Sequence, residues 1–314
     1  MNNNRIRLVV LAALMFGLCC AASAADDPKV KAMLSAAERN DVAEVQRLIA
    51  EGVDVNAKGS SDWTALLYAA KKNSVDLAKL LIEAGADVNA KGIGGNTALL
   101  YAARNNSVDM AKVLIEAGAD VNAKSRNDDT ALLSAAERNS VDMAKVLIEA
   151  GADVNAKSRS GYTALLYAVR KNSVDMAKVL IEAGADMNAK DGDGNTALLR
   201  AADNNYVDVA KVLIEAGADV NAKNGYGNTA LMYTAYNDYV DVAKVLIEAG
   251  ADVNAKNGDG KTALMEAAWG NSVDVVKLLI EAGADVNAKN NSAMTALNYA
   301  KGEVRKLLEA AGAR

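Results

Sequence analysis

One feature of this sequence limits its fold more than any other: a block of thirty-three residues recurs along almost the whole chain. The tripeptide Thr-Ala-Leu returns at a constant interval, beginning at Thr64, Thr97, Thr130, Thr163, Thr196, Thr229, Thr262 and Thr295. The segment Glu-Ala-Gly-Ala-Asp-Val-Asn-Ala-Lys recurs in step with it. A fixed period of about twenty to fifty residues is typical of stacked repeat units. The sequence therefore predicts an array in which each unit buries its apolar face against its neighbours.

Each unit carries the signals of a short first helix. Thr64 is a good N-cap residue, because its hydroxyl can accept a hydrogen bond from a free backbone N–H of the first turn. Leu66, Ala69 and Ala70 follow at helical spacing and form one apolar stripe. Asn73 can adopt the left-handed conformation that ends a helix. We therefore expect a helix of about two turns after every threonine.

A second helix is predicted directly after the first. Ser74 is expected to cap it through its hydroxyl, and Gly85 to end it in the left-handed conformation. Its apolar stripe consists of Val75, Ala78, Leu81 and Ile82. Neither helix is long enough to be stable alone in water, so the two must pack against each other and against neighbouring units. Asn-Gly or Asp-Gly dipeptides begin at Asp191, Asn224 and Asn257 and indicate a β-hairpin between units.

A helix–turn–helix–hairpin unit of thirty-three residues resembles the ankyrin repeat. The resemblance is carried by Thr-Ala-Leu-Leu-x-Ala-Ala, by the Asn-Ser/Tyr-Val-Asp link and by Leu-Ile-Glu-Ala-Gly-Ala-Asp-Val-Asn-Ala, over about residues 28–314. The family usually has Pro and His where this chain has Ala65 and Leu67, and Gly-His in place of Asn73-Ser74. The resemblance implies an all-α repeat solenoid of nine ankyrin-type units in a curved stack. It also implies a concave groove that binds other proteins.

The ends of the chain differ from the internal units. Residues 1–24 have the order of a cleaved secretory signal, with Arg5 and Arg7, an apolar run, and small residues up to Ala24. A retained N-terminal helix and a lipid-anchored cysteine are the alternatives. Residues 25–60 are predicted to be an N-terminal capping repeat, residues 61–289 seven internal repeats and residues 290–314 a shortened C-terminal capping repeat. We expect a bacterial protein that is periplasmic or secreted, with no membrane contact after signal cleavage.

The composition argues against catalysis. The chain has no histidine, which removes the commonest general base and the commonest metal ligand. The only two cysteines, Cys19 and Cys20, lie in the predicted signal. No cofactor motif or metal-ligand spacing occurs, and the repeats leave no room for a catalytic domain. The net charge of −5 disfavours nucleic acid as the partner.

Comparison of the repeats indicates where specificity lies. Positions that are identical in every unit serve packing or capping, whereas positions that vary can bind a partner. Variation is concentrated in the loop tip before each threonine and at positions four, seven and eight after it. The candidate partner-binding residues are Tyr68, Lys71, Lys72, Tyr101, Arg104, Arg138, Tyr167, Arg170, Lys171, Arg200, Tyr233, Tyr236, Tyr239 and Trp269.

These candidates are unevenly distributed, with basic residues first and aromatic residues later. Tyr, Trp and Arg are the residues most enriched in binding hot spots. We expect an acidic patch of a partner to meet the basic residues and an apolar patch to meet Tyr233, Tyr236 and Trp269. The alternative is that the tyrosines only pack between repeats.

The sequence thus predicts a monomeric, non-catalytic scaffold that binds a periplasmic or secreted protein through its groove and hairpin tips, shielding or inhibiting it. Immunity against a toxic enzyme, assistance to a periplasmic redox enzyme, and action as an effector exported to a host cell stay open. Nucleic-acid binding through the basic half of the groove is the alternative outside this class.

Overall fold

The computed structural model describes residues 27–59 and 62–314, so the predicted signal sequence lies outside the described residues. Within those two ranges the chain forms eighteen α-helices and no strand. No helix in them is both long and apolar enough to cross a bilayer. The chain divides between Ala131 and Leu132 into two compact parts, each made of several repeats. These parts are called the first unit and the second unit below.

The first unit contains three helix pairs. They are α1 (Pro28–Glu38) with α2 (Val42–Ala50), α3 (Ala65–Lys71) with α4 (Val75–Glu83), and α5 (Ala98–Arg104) with α6 (Val108–Glu116). A short 3-10 turn, Ile93–Gly95, precedes α5. The first helices of successive pairs pack against each other, and so do the second helices. Each pair is therefore stabilised by its neighbours, as expected for helices too short to stand alone.

The second unit repeats this arrangement in six further pairs. They are α7 (Ala131–Glu137) and α8 (Val141–Glu149), α9 (Ala164–Arg170) and α10 (Val174–Glu182), α11 (Ala197–Asp203) and α12 (Val207–Glu215), α13 (Ala230–Asn237) and α14 (Val240–Glu248), α15 (Ala263–Gly270) and α16 (Val273–Glu281), and α17 (Ala296–Tyr299) and α18 (Gly302–Ala310). Only the first residue of α7 belongs to the first unit. The predicted class, an all-α repeat solenoid, is confirmed, with nine helix pairs in the part of the chain that the structure describes.

The core of a repeat is made of leucine and alanine. Leu66, Ala69 and Ala70 are buried as predicted, and Leu67, which replaces the family's usual histidine, is buried too. In the second helix the prediction was partly wrong. Leu77, Ala78 and Leu81 are buried there, whereas Val75 and Ile82 are only half-buried. The reason is that Leu77 lies at the centre of the packed face and the two β-branched residues lie at its margins.

The helix ends use most of the predicted capping residues. The hydroxyl of Thr64 accepts a hydrogen bond from the backbone N–H of Leu67 at 3.4 Å. Asn73 has a φ of 56° and Gly85 a φ of 91°, both in the left-handed region. The prediction for Ser74 was wrong, because its hydroxyl donates to Oδ1 of Asn40 instead of capping its own helix. This serine joins two successive repeats.

The connection between repeats is a wider turn than the sequence predicts. The N–H of Asn224 donates to the carbonyl of Asn228 at 3.1 Å, and Gly227, not Gly225, has a positive φ. No strand forms among the described residues, so the predicted β-hairpin is wrong. Gly225 favours close approach, because a Cβ there would lie at a tight 3.3 Å from the carbonyl oxygen of Asp193 in the preceding loop tip.

A ladder of asparagine side chains joins the repeats below these tips. Nδ2 of Asn221 donates to the carbonyl of Gly250 at 3.3 Å, and its Oδ1 accepts from the N–H of Asp252 at 2.8 Å. The same two bonds, each to the next repeat, are made by Asn56, Asn89, Asn155 and Asn254. This pairing explains why the segment Val-Asn-Ala-Lys is repeated almost without change. These conserved positions of the repeat hold successive repeats together and are not expected to determine which partner binds.

Candidate partner-binding surface

An open pocket of about 750 Å³ lies in the second unit, between the first helices α13 and α15 and the loop tips that precede them. Its walls are formed mainly by Tyr226, Tyr233, Tyr236, Lys261, Glu266 and Trp269. All six stand at positions where the repeats differ from one another. Three of them, Tyr233, Tyr236 and Trp269, are among the predicted binding residues.

Tyr236 and Trp269 form the exposed rim of this pocket. Their ring centroids are 5.6 Å apart and their planes meet at 70°, an edge-to-face arrangement. The exposed fraction is 46% for Tyr236 and 56% for Trp269. Both rings stand at position seven after the threonine, on the last turn of the first helix, where other repeats carry charged residues. The fold does not need an aromatic ring at this position.

A lysine and a glutamate make the charged wall. Nζ of Lys261 lies 4.1 Å from the centre of the Trp269 ring and 3.6 Å from Oε1 of Glu266. The Glu266 side chain is only 12% exposed. Burial raises the pKa of this carboxyl, and the nearby charge of Lys261 opposes that effect. The lysine therefore fixes the Trp269 ring and partly neutralises a carboxylate that is largely withdrawn from water.

Tyr233 is fixed by hydrogen bonds deeper in the pocket. Its hydroxyl oxygen accepts from Nδ2 of Asn224, a buried side chain, at 2.8 Å. Burial raises the pKa of Tyr233, and the negative charge of Asp203 raises it further. The phenol therefore stays neutral near physiological pH. Tyr239, by contrast, precedes α14 and does not line the pocket.

A second aromatic cluster lies in the first unit, around a residue that was not predicted. The Trp63 ring lies 4.8 Å from that of Tyr68 and 5.2 Å from that of Tyr101, and Nζ of Lys71 lies 4.9 Å from its centre. Trp63, Tyr68 and Tyr101 are half-buried. Trp63 immediately precedes the threonine. The variation at this loop position is the signal that could have identified it.

The same contact between the residue before the threonine and position four recurs in the second unit. The rings of Tyr162 and Tyr167 are 5.2 Å apart. The guanidinium of Arg170 lies 4.7 Å from the Tyr167 centroid, and its Nη2 lies 3.0 Å from Oε1 of Glu137. Tyr167 is buried. These side chains pack on one another and leave little ring surface exposed.

Several of the predicted basic residues are paired with carboxylates. Arg104 lies 3.7 Å from Asp129, and Arg200 lies 2.6 Å from Asp191 and 2.7 Å from Asp193. Of the predicted basic residues, Lys71, Lys72, Arg138 and Lys171 are exposed and have no ion-pair partner within the described ranges. Aromatic pairs occur in both units. The expected separation into a basic half and an aromatic half is therefore weaker than the sequence indicates.

In the part of the chain that the structure describes, no group of three acidic, histidine or cysteine side chains is placed to hold a metal ion. What the geometry offers is a surface with exposed aromatic rings beside an open pocket. Such a surface is suited to contact with another molecule.

Comparison with known proteins gives a consistent result. The sequence matches the family of ankyrin repeats (3 copies) over residues 13–92, 33–125, 123–191, 157–224 and 189–257, and that of ankyrin repeats (many copies) over residues 246–300. Among solved structures it is similar to the ankyrin repeat domain of Bcl-3, a unique member of the IkappaB protein family. The two are 27% identical with a TM-score of 0.62, over 68% of this chain and 97% of that chain. No curated protein matches the chain.

Proposed function

Because the chain belongs to the ankyrin repeat family, we propose that it is a non-catalytic scaffold that binds a protein partner through the pocket between α13 and α15. Ankyrin repeats generally mediate protein–protein interaction, and ankyrin repeat domains are typically non-catalytic. The proposal adds the place of contact. It also takes the partner to be periplasmic or secreted, because residues 1–24 have the order of a secretory signal.

One observation carries the proposal: Tyr236 and Trp269 are large aromatic side chains that remain about half exposed beside an open pocket. The equivalent position holds Lys71, Arg104 or Arg170 in other repeats, and those repeats fold in the same way. The rings are therefore not required for packing. Exposed aromatic residues that border a pocket are the usual anchors of protein interfaces.

Nucleic-acid binding is less well supported. Arg104, Arg170 and Arg200 are each already close to a carboxylate. A phosphate backbone would have to compete with these acids, and the chain carries a net charge of −5.

The test is site-specific crosslinking. A photo-reactive amino acid at position 269 is expected to capture one protein from a periplasmic or secreted extract, whereas the same probe at Lys244, exposed on α14, captures none. The double variant Tyr236→Ala and Trp269→Ala is expected to lose the partner without unfolding. The matched control, Lys211→Ala and Lys244→Ala, is expected to retain it. Equal capture by the two probe positions, or unchanged capture by the aromatic double variant, contradicts the proposal.

The compartment is tested separately. The N-terminal residue of the chain purified from the cell envelope is expected to be Ala25, if cleavage follows Ala24. A chain that retains residues 1–24 in the cytoplasm would contradict this part of the proposal and leave the binding site to be judged by crosslinking.

A further inference from the structure

The pocket, for which the sequence predicts an apolar ligand, also carries charged side chains. Two carboxylates, Asp259 and Glu266, and one ammonium group, Lys261, line it. Two negative charges and one positive charge give a net charge of minus one. Farther from the pocket, the charge of Asp203 raises the pKa of Tyr233 and the charge of Arg200 lowers it, so these two oppose each other. A carboxylate ligand would be repelled here.

Glu266 is more buried than Asp259, the other carboxylate of the pocket. Its side chain is largely covered, and its cationic neighbour among the described residues, Lys261, is at a long distance of 3.6 Å. Burying a carboxylate is costly unless it is well paired. A second cation that reached Glu266 would complete its pairing. A purely apolar side chain would instead bury the acid further without a partner.

The aromatic rings beside Glu266 already hold a cation. The ammonium of Lys261 lies over Trp269 at 4.1 Å, a distance typical of a cation–π contact. Tyr236 stands edge-to-face with Trp269 and is about half exposed. Aromatic rings next to a carboxylate form a surface that favours a positively charged group. Lys261 occupies only part of it.

On the basis of the proposed function, we propose that this pocket receives an arginine side chain of the partner, stacked on Tyr236 beside Trp269 and paired with Glu266. A guanidinium suits the site better than an ammonium because it is planar, weakly hydrated and able to stack on a ring while donating two parallel hydrogen bonds to a carboxylate. This differs from the sequence-based expectation that an apolar patch meets these rings.

The structure supplies a sharp way to test the sign of the ligand's charge. If the pocket selects a cation, Lys261 competes with the ligand, and Lys261→Met is expected to strengthen binding several-fold. If the pocket selects an anion, Lys261 is its only positive wall, and the same variant abolishes binding. The two hypotheses therefore predict opposite effects of one substitution.

The experiment uses tryptophan fluorescence. The chain has two tryptophans, so Trp63→Phe leaves Trp269 as the only reporter. The probe is N-acetyl-arginine N-methylamide, compared with the citrulline amide, which has a similar shape without charge, and with the glutamate amide. Saturable binding of the arginine amide is expected, about tenfold tighter than that of citrulline. The glutamate amide is expected to be weakest.

Two variants complete the design. Glu266→Gln is expected to weaken binding of the arginine amide about tenfold. Glu248→Gln, an exposed glutamate of α14, is expected to leave it unchanged. Equal affinity for arginine and citrulline, no effect of Glu266→Gln, loss of binding in Lys261→Met, or no saturation up to roughly 0.1 M would each overturn the inference. If one of these results is obtained but position 269 still crosslinks to the partner, only the arginine proposal is overturned and the proposed scaffold function is retained.

Discussion

Trp63 and Trp269 have similar neighbours and different surroundings. Each has a tyrosine ring within 6 Å and a lysine ammonium over its face. Trp63, however, is half-buried between two rings, those of Tyr68 and Tyr101. Trp269 contacts one ring, is 56% exposed and borders an open pocket. The first cluster is closed on itself, and the second is open to a ligand.

The difference follows from the position of each residue in the repeat. Trp63 precedes its threonine, so its ring lies on position four of its own repeat and of the next one. Trp269 stands at position seven, on the last turn of a helix, where no following ring covers it. A tryptophan thus packs between rings at one position of the repeat and stays exposed to solvent at the other. The register within the repeat, more than composition, distinguishes a structural aromatic from a candidate anchor.

The largest expected effect comes from a substitution that disturbs the backbone beside Tyr236 and Trp269. A Cβ on Gly270 would lie 2.1 Å from the carbonyl oxygen of Tyr236, an atom that cannot move without shifting α13. The same carbonyl accepts a hydrogen bond from the Ser272 hydroxyl at 3.1 Å. Gly270→Ala is expected to destabilise the protein by about 3 kcal/mol, because the clash forces the two helix ends apart. The urea unfolding midpoint measures this change.

The matched control for that variant is Lys72→Ala, at the same register of another repeat. Lys72 is exposed, so its truncation is expected to change stability by less than about 0.5 kcal/mol. A Gly270→Ala protein as stable as this control would show that the close approach of Tyr236 is not required.

The next two variants remove each tryptophan in turn and compare the loss of stability with the loss of partner binding. Trp63→Ala is expected to cost about 2 kcal/mol of unfolding free energy, because it removes a half-buried ring from between two others. Trp269→Ala is expected to cost less than about 0.5 kcal/mol, since its ring is mostly in water. Partner capture is expected to show the reverse order. Urea unfolding and crosslinking of both variants check the two halves of the comparison, and equal stability losses would contradict it.

The sequence was sufficient for the fold because the repeat supplies the same packing signal nine times. Threonine caps, left-handed asparagines such as Asn73 and the leucine–alanine stripes all have local causes that propensity and spacing express. The site depends instead on contacts between repeats. That Tyr236 meets Trp269, or that Trp63 fills the space between Tyr68 and Tyr101, depends on side chains brought together by stacking. The Asn-Gly signal failed for a related reason, because Gly225 serves the approach of a neighbouring loop and not its own turn.

The loop tips near the pocket have a hydrogen bond that the loop tip containing Ser125 in the first unit lacks. Nδ2 of Asn224 donates to Oδ1 of Asn195 at 3.0 Å, and the same bond joins Asn257 to Asn228 at 2.8 Å. In the first unit the equivalent donor is Ser125, which is too short. Oδ1 of Asn96 is therefore buried without a hydrogen-bond partner in the described ranges.

Ser125→Asn is expected to supply the missing bond and stabilise the protein by about 1 kcal/mol. The Ser125 hydroxyl accepts from two backbone N–H groups of its own loop, and the Asn224 carboxamide oxygen accepts from the equivalent pair. The new side chain therefore replaces what it removes. The urea midpoint measures the gain. Ser125→Asn in an Asn96→Ala background is the control, and an equal gain there would exclude the proposed bond as its source.

The smallest effect concerns the buried acid, which the closed cluster lacks. Burial raises the pKa of Glu266 above its ordinary value of 4.5 in spite of Lys261. The folded protein therefore binds this proton more tightly than the unfolded chain, so the resulting stabilisation is complete below pH 4.5 and is lost as the pH rises through the folded pKa. Glu266→Gln cannot ionise, and its stability relative to the natural protein is expected to increase as the pH rises. Urea midpoints over this range, with Glu248→Gln as the control, measure the trend. A difference that falls with pH would mean that pairing with Lys261 outweighs burial, in which case Glu266 would have little need of a second cation.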